Sequence, residues 1–439
     1  MRWLLLACLM VSWAGAAPVV IETEPPNGAR DVDPSTGFIR VVFSEPMSTS
    51  SWSWCGSGYP FPSINGSPSW EDERTALLPV TLEPQHSYML SINCPSARGF
   101  VSAKGEEATP HPLRFVTGWG DPLTASTDAN NLAAVQMLRQ LLDERYSYAD
   151  RLEWDWRAAL EEEKRFVLAS PNATEWALRM LPFLARFEDK HLRLVLPDGE
   201  SLKPWRPGVF YNANDDAIRS LVGPLTLHED VGASARLDGI GYLRLDSWSG
   251  EEEHEKLMHV LLDSLLDTRV LILDMRGNGG GDETHARRFA ARFLVSGEGG
   301  AYARHRLRDP DSPGGWTEWR ERHIRPAENR SRYLGRVLLL QGQVSLSSNE
   351  SFIKMMRLSP RVTTLGATTG GSSARPQRHK LPNGIEISLA TWWSALPDGS
   401  PLEGVGIPPQ IPVEGDFATS DPVLEKALEM AKTPEKPAQ

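Results

Sequence analysis

Three serines crowd one stretch of this chain. Ser345, Ser347 and Ser348 lie within Gly335–Gly371, GRVLLLQGQVSLSSNESFIKMMRLSPRVTTLGATTGG. A serine hydroxyl is a weak nucleophile unless a base takes its proton and fixed donors stabilise the oxyanion it creates. Arg336–Gln341 carries four consecutive aliphatic residues, the pattern of a strand buried on both faces. A small-residue turn, Gly342–Ser348, follows, and then Phe352, Ile353, Met355 and Met356 at helical spacing. Strand, tight turn and helix put a serine at a helix N-terminus, where free N–H groups and the helix dipole favour a developing negative charge. The same place suits a structural role, with Ser347 or Ser348 as N-cap. A second turn, Arg276-Gly-Asn-Gly-Gly-Gly281, follows the most hydrophobic strand of the chain, Thr268–Met275. It matches neither GxGxxG nor GxxxxGK(S/T), so its chemistry is close backbone approach and exposed N–H groups rather than phosphate binding. His191 lies at a helix-to-strand junction, where a histidine is more often a surface or capping residue than a catalytic base. The ten histidines and the cysteines show no ligand spacing such as HExxH, so no metal or other cofactor is expected.

The elements that must position these residues are legible in outline. Leu132, Val135, Leu138 and Leu142 mark an amphipathic helix, and Trp156, Leu160, Phe166 and Val167 a second. A third runs from Thr174, as N-cap, through Leu184 to Arg186–His191, and Leu192–Leu196 turns strand-like. Ile240–Leu245 reads as a strand and Glu251–Leu266 as a helix whose acidic first turn suits its dipole. A helix through Ala286, Phe289, Ala290, Phe293 and Leu294 follows the glycine turn, and Val362–Leu365 is a short strand. Residues 197–235 are poorly patterned, and residues 297–334, charged and aromatic without period, read as a long surface excursion.

MRWLLLACLMVSWAGAA has one basic residue, an apolar centre and a small-residue exit, which predicts a signal peptide over residues 1–17 and no membrane-spanning segment. Export to a bacterial periplasm or the exterior is therefore expected. For 439 residues the prior is two or three domains, and the net charge of −11 argues against nucleic acid or anionic membrane as partner. Setting aside Cys8 leaves Cys55 and Cys94, which an oxidising compartment predicts to be a disulfide.

Residues 18–117 alternate or run β-branched between turns rich in Pro, Gly, Asn and Asp, the pattern of a small all-β sandwich. Their words, EPPNGARDVDPSTGFIRVVFSEPM, LEPQHSYMLSI and RFVTG, resemble a bacterial Ig-like domain. Such domains are spacers or adhesive modules. A linker over residues 118–127 separates this segment from the rest.

FEDKHLRL, LILDMRGNGGG, GRVLLLQGQVSLSSNE, LGATTGGSS and LPNGIEISLATWWSALPDGSPLEGVGIPPQIPV occur in the order found in the C-terminal processing (tail-specific) serine protease family, which residues 128–415 resemble. The resemblance implies a helical N-terminal part over residues 128–196. An α/β superhelical, crotonase/ClpP-like protease core follows over residues 197–415, and residues 416–439 form a C-terminal helix and tail. One type in that family uses a Ser–Lys dyad and a PDZ domain. Here the corresponding turn, Gly370-Gly371-Ser372-Ser373, has no lysine, and residues 197–235 are too few for a PDZ domain. The other, tricorn-core-like type uses serine, histidine and glutamate. It implies Ser347 as nucleophile, His191 as base and Glu403 as support, with Gly279 or Gly280 and the N–H of Ser348 as the oxyanion hole. Lys190 stands where that type has a serine before the histidine, Asn349 replaces the second motif serine, and Pro409-Gln410 replaces Pro-Asp. The resulting expectation is an exported serine endopeptidase acting on a protein or peptide. The alternative is a non-catalytic peptide- or apolar-ligand-binding protein on the same fold.

Overall fold

The computed structural model describes residues 17–118, 129–228 and 231–433. The expected signal peptide apart from Ala17, the expected linker apart from Gly118, and residues 434–439 of the expected tail lie outside the described residues. The chain divides into two units, residues up to Leu132 with Glu162–Pro182, and Ala133–Glu161 with the residues from Phe183 onward.

The first unit holds two sheets around one core. In the first, β1 (Val20–Glu24) pairs with β3 (Phe38–Phe43), β3 with β7 (Thr75–Thr81), and β7 with both β5 (Ser63–Ile64) and β6 (Ser69–Asp72). The second has the order β2 (Ala29–Val32), β9 (His111–Thr117), β8 (Ser87–Ile92) and β4 (Trp54–Cys55). The period of two decides which residues turn inward. Ile39, Val41 and Phe43 alternate on β3, and meet Leu78 and Val80 of β7, Leu90 and Ile92 of β8, and Leu113 and Phe115 of β9. Cys55 and Cys94 form a disulfide with a Cα–Cα distance of 6.2 Å, tying β4 to the end of β8.

Helices α1 (Ala129–Glu144), α2 (Trp156–Leu168) and α3 (Ala173–Ala185) come next in the chain. The N-cap of α3 differs from the expected Thr174. Asn172 accepts the N–H of Glu175 at 2.9 Å, because an amide side chain one residue before the helix reaches that orphan donor.

The second unit is built on a seven-stranded sheet. Its order is β12 (Thr226–His228), β13 (Gly232–Leu237), β14 (Ile240–Leu245), β15 (Val270–Asp274), β18 (Arg336–Gln341), β19 (Val362–Gly366) and β23 (Ile411–Pro412). From β14 to β23 the pairing is parallel. Strands covered on both faces must be apolar at every position, and β15 is buried throughout. Leu271, Leu273 and Leu339 share a core with Leu262 of α5 (Glu252–Asp263), Phe289 of α6 (Glu283–Ala290) and Phe352 of α7 (Ser348–Met356). Ile272, Leu338 and Leu340 belong to another, with Ile218 of α4 (Asp215–Val222) and Leu424 of α8 (Pro422–Lys432). Both turns that carry the candidate chemistry leave the C-terminal ends of adjacent parallel strands, β15 and β18.

Two smaller sheets complete this unit. One has the order β11 (Ser201–Leu202), β10 (Arg193–Val195), β21 (Glu386–Ala390) and β20 (Pro376–Lys380). The other runs β17 (Arg320–Ile324), β16 (Gly300–Leu307) and β22 (Trp392–Ala395). Residues 297–334 are thus not the irregular excursion their composition predicts. Arg304 lies 4.6 Å from the Trp319 ring, and Arg306 4.4 Å from that of Trp316, so stacked guanidinium groups do for this hairpin what aliphatic contacts do elsewhere. Among the described residues no helix is long and apolar enough to cross a membrane.

Candidate active site

The root of the glycine turn is fixed by a buried charge cluster. Arg276, fully buried, meets Asp274 at 2.6 Å and Asp421 at 2.7 Å, and donates to the Asn212 carbonyl at 2.7 Å. Paired on two sides and hydrogen-bonded on a third, this guanidinium avoids the cost of an isolated buried charge. Beyond it, Asn278 accepts the N–H of Gly280 through its side chain at 2.9 Å. Asn349 on α7 braces the same loop, donating to the Met275 and Asn278 carbonyls at 3.0 and 3.1 Å. The serine expected at that motif position could not span both.

The three serines are separated by their partners. The Ser345 hydroxyl, buried, donates to the Met275 carbonyl at 2.9 Å, and that of Ser348 donates to the Gly281 carbonyl. Ser347 sits at the N-cap of α7 with φ of 57° and ψ of −124°, a conformation costly for a residue with a Cβ. Its N–H donates to the Ser372 carbonyl at 2.7 Å and to the Glu350 carboxylate at 3.2 Å. Ser347 and Ser348 line a cavity of about 670 Å³ together with Gly281, Arg322, Arg375 and Trp392.

Glu350 holds this turn together. Fully buried, it accepts from the Thr369 hydroxyl at 2.5 Å and from the N–H groups of Gly371 and Ser372, both at 2.8 Å. Burial raises its pKa more than these donors lower it.

Gly280 is required by packing. Its φ is +104°, and a Cβ there would lie 2.8 Å from the Cβ of Ser347 and 3.1 Å from the N of Ser348. Of the expected oxyanion donors, Gly280 has its N–H taken by Asn278. Among the described residues no acceptor engages the N–H of Gly279 or of Ser348. Those two remain free to receive an oxyanion.

His191 stands after α3 in the turn Asp189-Lys190-His191, 9% exposed. Its N–H donates to Asp189 Oδ1 at 2.8 Å, and its Nδ1 lies 3.7 Å from the same oxygen and 3.1 Å from Ser372 Oγ. Burial pulls the imidazole pKa down, but the carboxylates of Asp189, Glu403 and Glu350 more than offset it and leave it above the ordinary value. Glu403 accepts from the Tyr148 hydroxyl and from the N–H of Ser373, both at 2.8 Å. Burial raises the Glu403 pKa, against the lowering by His191 and these donors. One donor atom from each of Asp189, His191 and Glu403 lies within 4.8 Å of the others, an arrangement that could hold a cation and equally one that steadies an imidazolium. Lys190 donates through Nζ to the Gly370 carbonyl and so braces the turn before Ser372.

The structure therefore links Ser347 to His191 through a residue that the sequence reading passed over. Ser372 touches both, by its carbonyl and its hydroxyl. Asp189 and Tyr148 were also missed. The Asp-x-His spacing was a usable signal for Asp189; nothing local marks Tyr148.

Residues 239–413 match peptidase family S41. Among solved structures, the chain is similar to a protein from Parabacteroides merdae ATCC 43184, with 24% identity and a TM-score of 0.60 over 70% of this chain and 98% of that one. It is also similar to mature CPAF, with 12% identity and a TM-score of 0.52 over 69% of this chain and 97% of that one. At these identities the structural likenesses speak for the fold.

Proposed function

We propose that Ser347, His191 and Glu403 carry the serine-type peptidase activity of this chain, whose residues 239–413 are a peptidase family S41 domain. The single observation that carries the assignment is the strained turn at Ser347, whose N–H bonds to the residue, Ser372, that also holds the histidine ring. Ser347 Oγ attacks the scissile carbonyl and passes its proton to Nε2 of His191, leaving a tetrahedral oxyanion on the N–H groups of Gly279 and Ser348. Nδ1–H is held by Ser372 Oγ beside Asp189, so Nε2 is the basic nitrogen. The imidazolium gives the proton to the leaving amine, and an acyl-serine forms. Water then attacks that ester, again losing a proton to His191, and frees the carboxylic acid and the serine. Asp189 and Glu403 stabilise the charged ring. The cavity beside Ser347 supports a polypeptide substrate, and the order of the sequence motifs supports cleavage of the tail-specific kind.

In this reading the first unit includes an Ig-like module, and the α/β domain belongs to the crotonase/ClpP-like superhelical folds. The Cys55–Cys94 disulfide supports export to an oxidising compartment. A fluorophosphonate probe tests the chemistry. Labelling of the wild type at Ser347, lost in Ser347→Ala and strongly slowed in His191→Ala, is the expected result. A folded wild type that neither labels nor cleaves peptides would instead support a peptide-binding protein.

A further inference from the structure

A second cavity, of about 360 Å³, lies wholly within the first unit. Tyr88, Phe115 and Phe166 give it aromatic walls, and three arginines, Arg30, Arg114 and Arg179, face it with a single acidic residue, Glu163. Glu163 is committed to Arg30, at 3.0 Å. Arg179 is 5% exposed, donates to the carbonyls of Phe166 and Gln85 at 3.2 and 3.3 Å, and leaves Nε without a partner. The nearby Glu175 offsets part of the burial that lowers its pKa, but makes its direct contacts elsewhere, with His86 at 2.7 Å and the Ser87 hydroxyl at 3.2 Å, while the guanidinium lies 5.0 Å from the Phe166 ring. Arg114 has no side-chain hydrogen bond or ion pair among the described residues, and burial lowers its pKa. Arg30 is thus ion-paired, Arg179 is held by carbonyls without a direct ion pair, and Arg114 has no side-chain partner among the described residues, all around an apolar hollow in a chain whose net charge is −11.

A partly buried cation without a counter-charge, as at Arg114, is destabilising, and a second guanidinium in the same cavity repels it as well. Such an arrangement persists where a ligand supplies the missing charge. Guanidinium groups match carboxylate and phosphate oxygens in pairs, and aromatic walls take an apolar body. The volume is at the small end of the range of about 300–1,000 Å³ for ligand sites.

We propose that this cavity binds a small amphiphile with an anionic head and an apolar body, anchored on Arg114 and Arg179. The site involves none of the residues assigned to peptide hydrolysis and stands or falls independently of them.

Calorimetric titration of the full chain with octanoate, octyl phosphate, octanol and inorganic phosphate tests the proposal. At least one of the two octyl anions should bind at least tenfold more tightly than octanol and than inorganic phosphate. The stronger anion identifies the head group. Arg114→Gln should weaken that ligand at least tenfold, and Arg114→Lys less. The ligand-free Arg114→Gln protein should also melt at a higher temperature than the wild type, because an unpaired, partly buried charge has been removed. A purely structural arginine would give the opposite sign. Absence of binding by both octyl anions, octanol binding as tightly as they do, unchanged affinity in Arg114→Gln, or a lower melting temperature of that variant would each overturn the proposal.

Discussion

Ser372 Oγ lies 3.1 Å from His191 Nδ1, and the two residues are 181 positions apart in the chain. The same serine accepts the Ser347 N–H at 2.7 Å and gives its own N–H to Glu350 at 2.8 Å. The backbone that fixes Ser347, the proposed nucleophile, therefore also fixes the hydroxyl that meets the imidazole. Ser372 lies in the turn where lysine-type members of the resembled family carry their base. Here that turn supplies a neutral group that can orient a histidine but cannot replace it.

Ser372→Ala should lower kcat about tenfold, in line with loss of a hydrogen bond worth roughly 1–1.5 kcal/mol in positioning. KM should change little, because the hydroxyl faces the ring. Ser372→Thr should recover part of the rate. Steady-state kinetics on the purified variants check this, and wild-type kcat in Ser372→Ala would remove the residue from the relay.

The acid limb of the pH profile should lie above the ordinary imidazole value of about 6.5, because neighbouring carboxylates raise the pKa of His191 and only the neutral ring accepts a proton. Asp189→Asn should move the limb to lower pH, since the carboxylate that does most to raise the His191 pKa is gone, and Glu403→Gln should move it the same way. Stability carries the same sign. The charged ring's favourable contacts are fully present below the unfolded value of about 6.5 and are lost as pH rises through the folded value. A kcat/KM profile for the wild type and both variants measures the limb. An acid limb unmoved in both would detach the carboxylates from the histidine.

Gly280→Ala should reduce turnover by orders of magnitude, since its φ of +104° and a Cβ 2.8 Å from that of Ser347 would push the loop away from the nucleophile. Gly279 has open space around a Cβ, so Gly279→Ala should lose less. Equal turnover in the two variants would show that the loop does not pack on the nucleophile as described.

The strands that carry the site were readable because β15 and β18 are covered on both faces, which leaves an unbroken aliphatic run as their signature. The place of Ser347 at the start of a helix was readable from the strand–turn–helix pattern. β13 was not. Gly232 there has its Cβ position 1.9 Å from the Arg244 carbonyl, so close approach to β14 selects small residues that show no hydrophobic period. β16 was hidden by its arginines, which pack by stacking on tryptophans. The roles of Ser372, Asp189 and Tyr148 come from three segments converging on one imidazole and its carboxylate, and no local pattern encodes that convergence.

The serine neighbours offer the sharpest separation of chemistry from architecture. Ser347→Ala should lose several orders of magnitude in turnover, with a stability change no larger than that of a lost N-cap, about 0.5–2 kcal/mol. Ser345→Ala removes the hydroxyl that donates to Met275 and accepts the Gly342 N–H, so it should lose about 1–2 kcal/mol of stability and keep most of its turnover per folded molecule. Ser348→Ala breaks the bond to the Gly281 carbonyl but retains the N–H that the oxyanion needs, so it too should stay active, with a stability loss of about 0.5–1.5 kcal/mol. Thermal unfolding and turnover measured on the same three preparations decide the matter. If Ser345→Ala or Ser348→Ala were the inactive variant while Ser347→Ala worked normally, the strained turn would be a scaffold and the nucleophile would lie elsewhere in the motif.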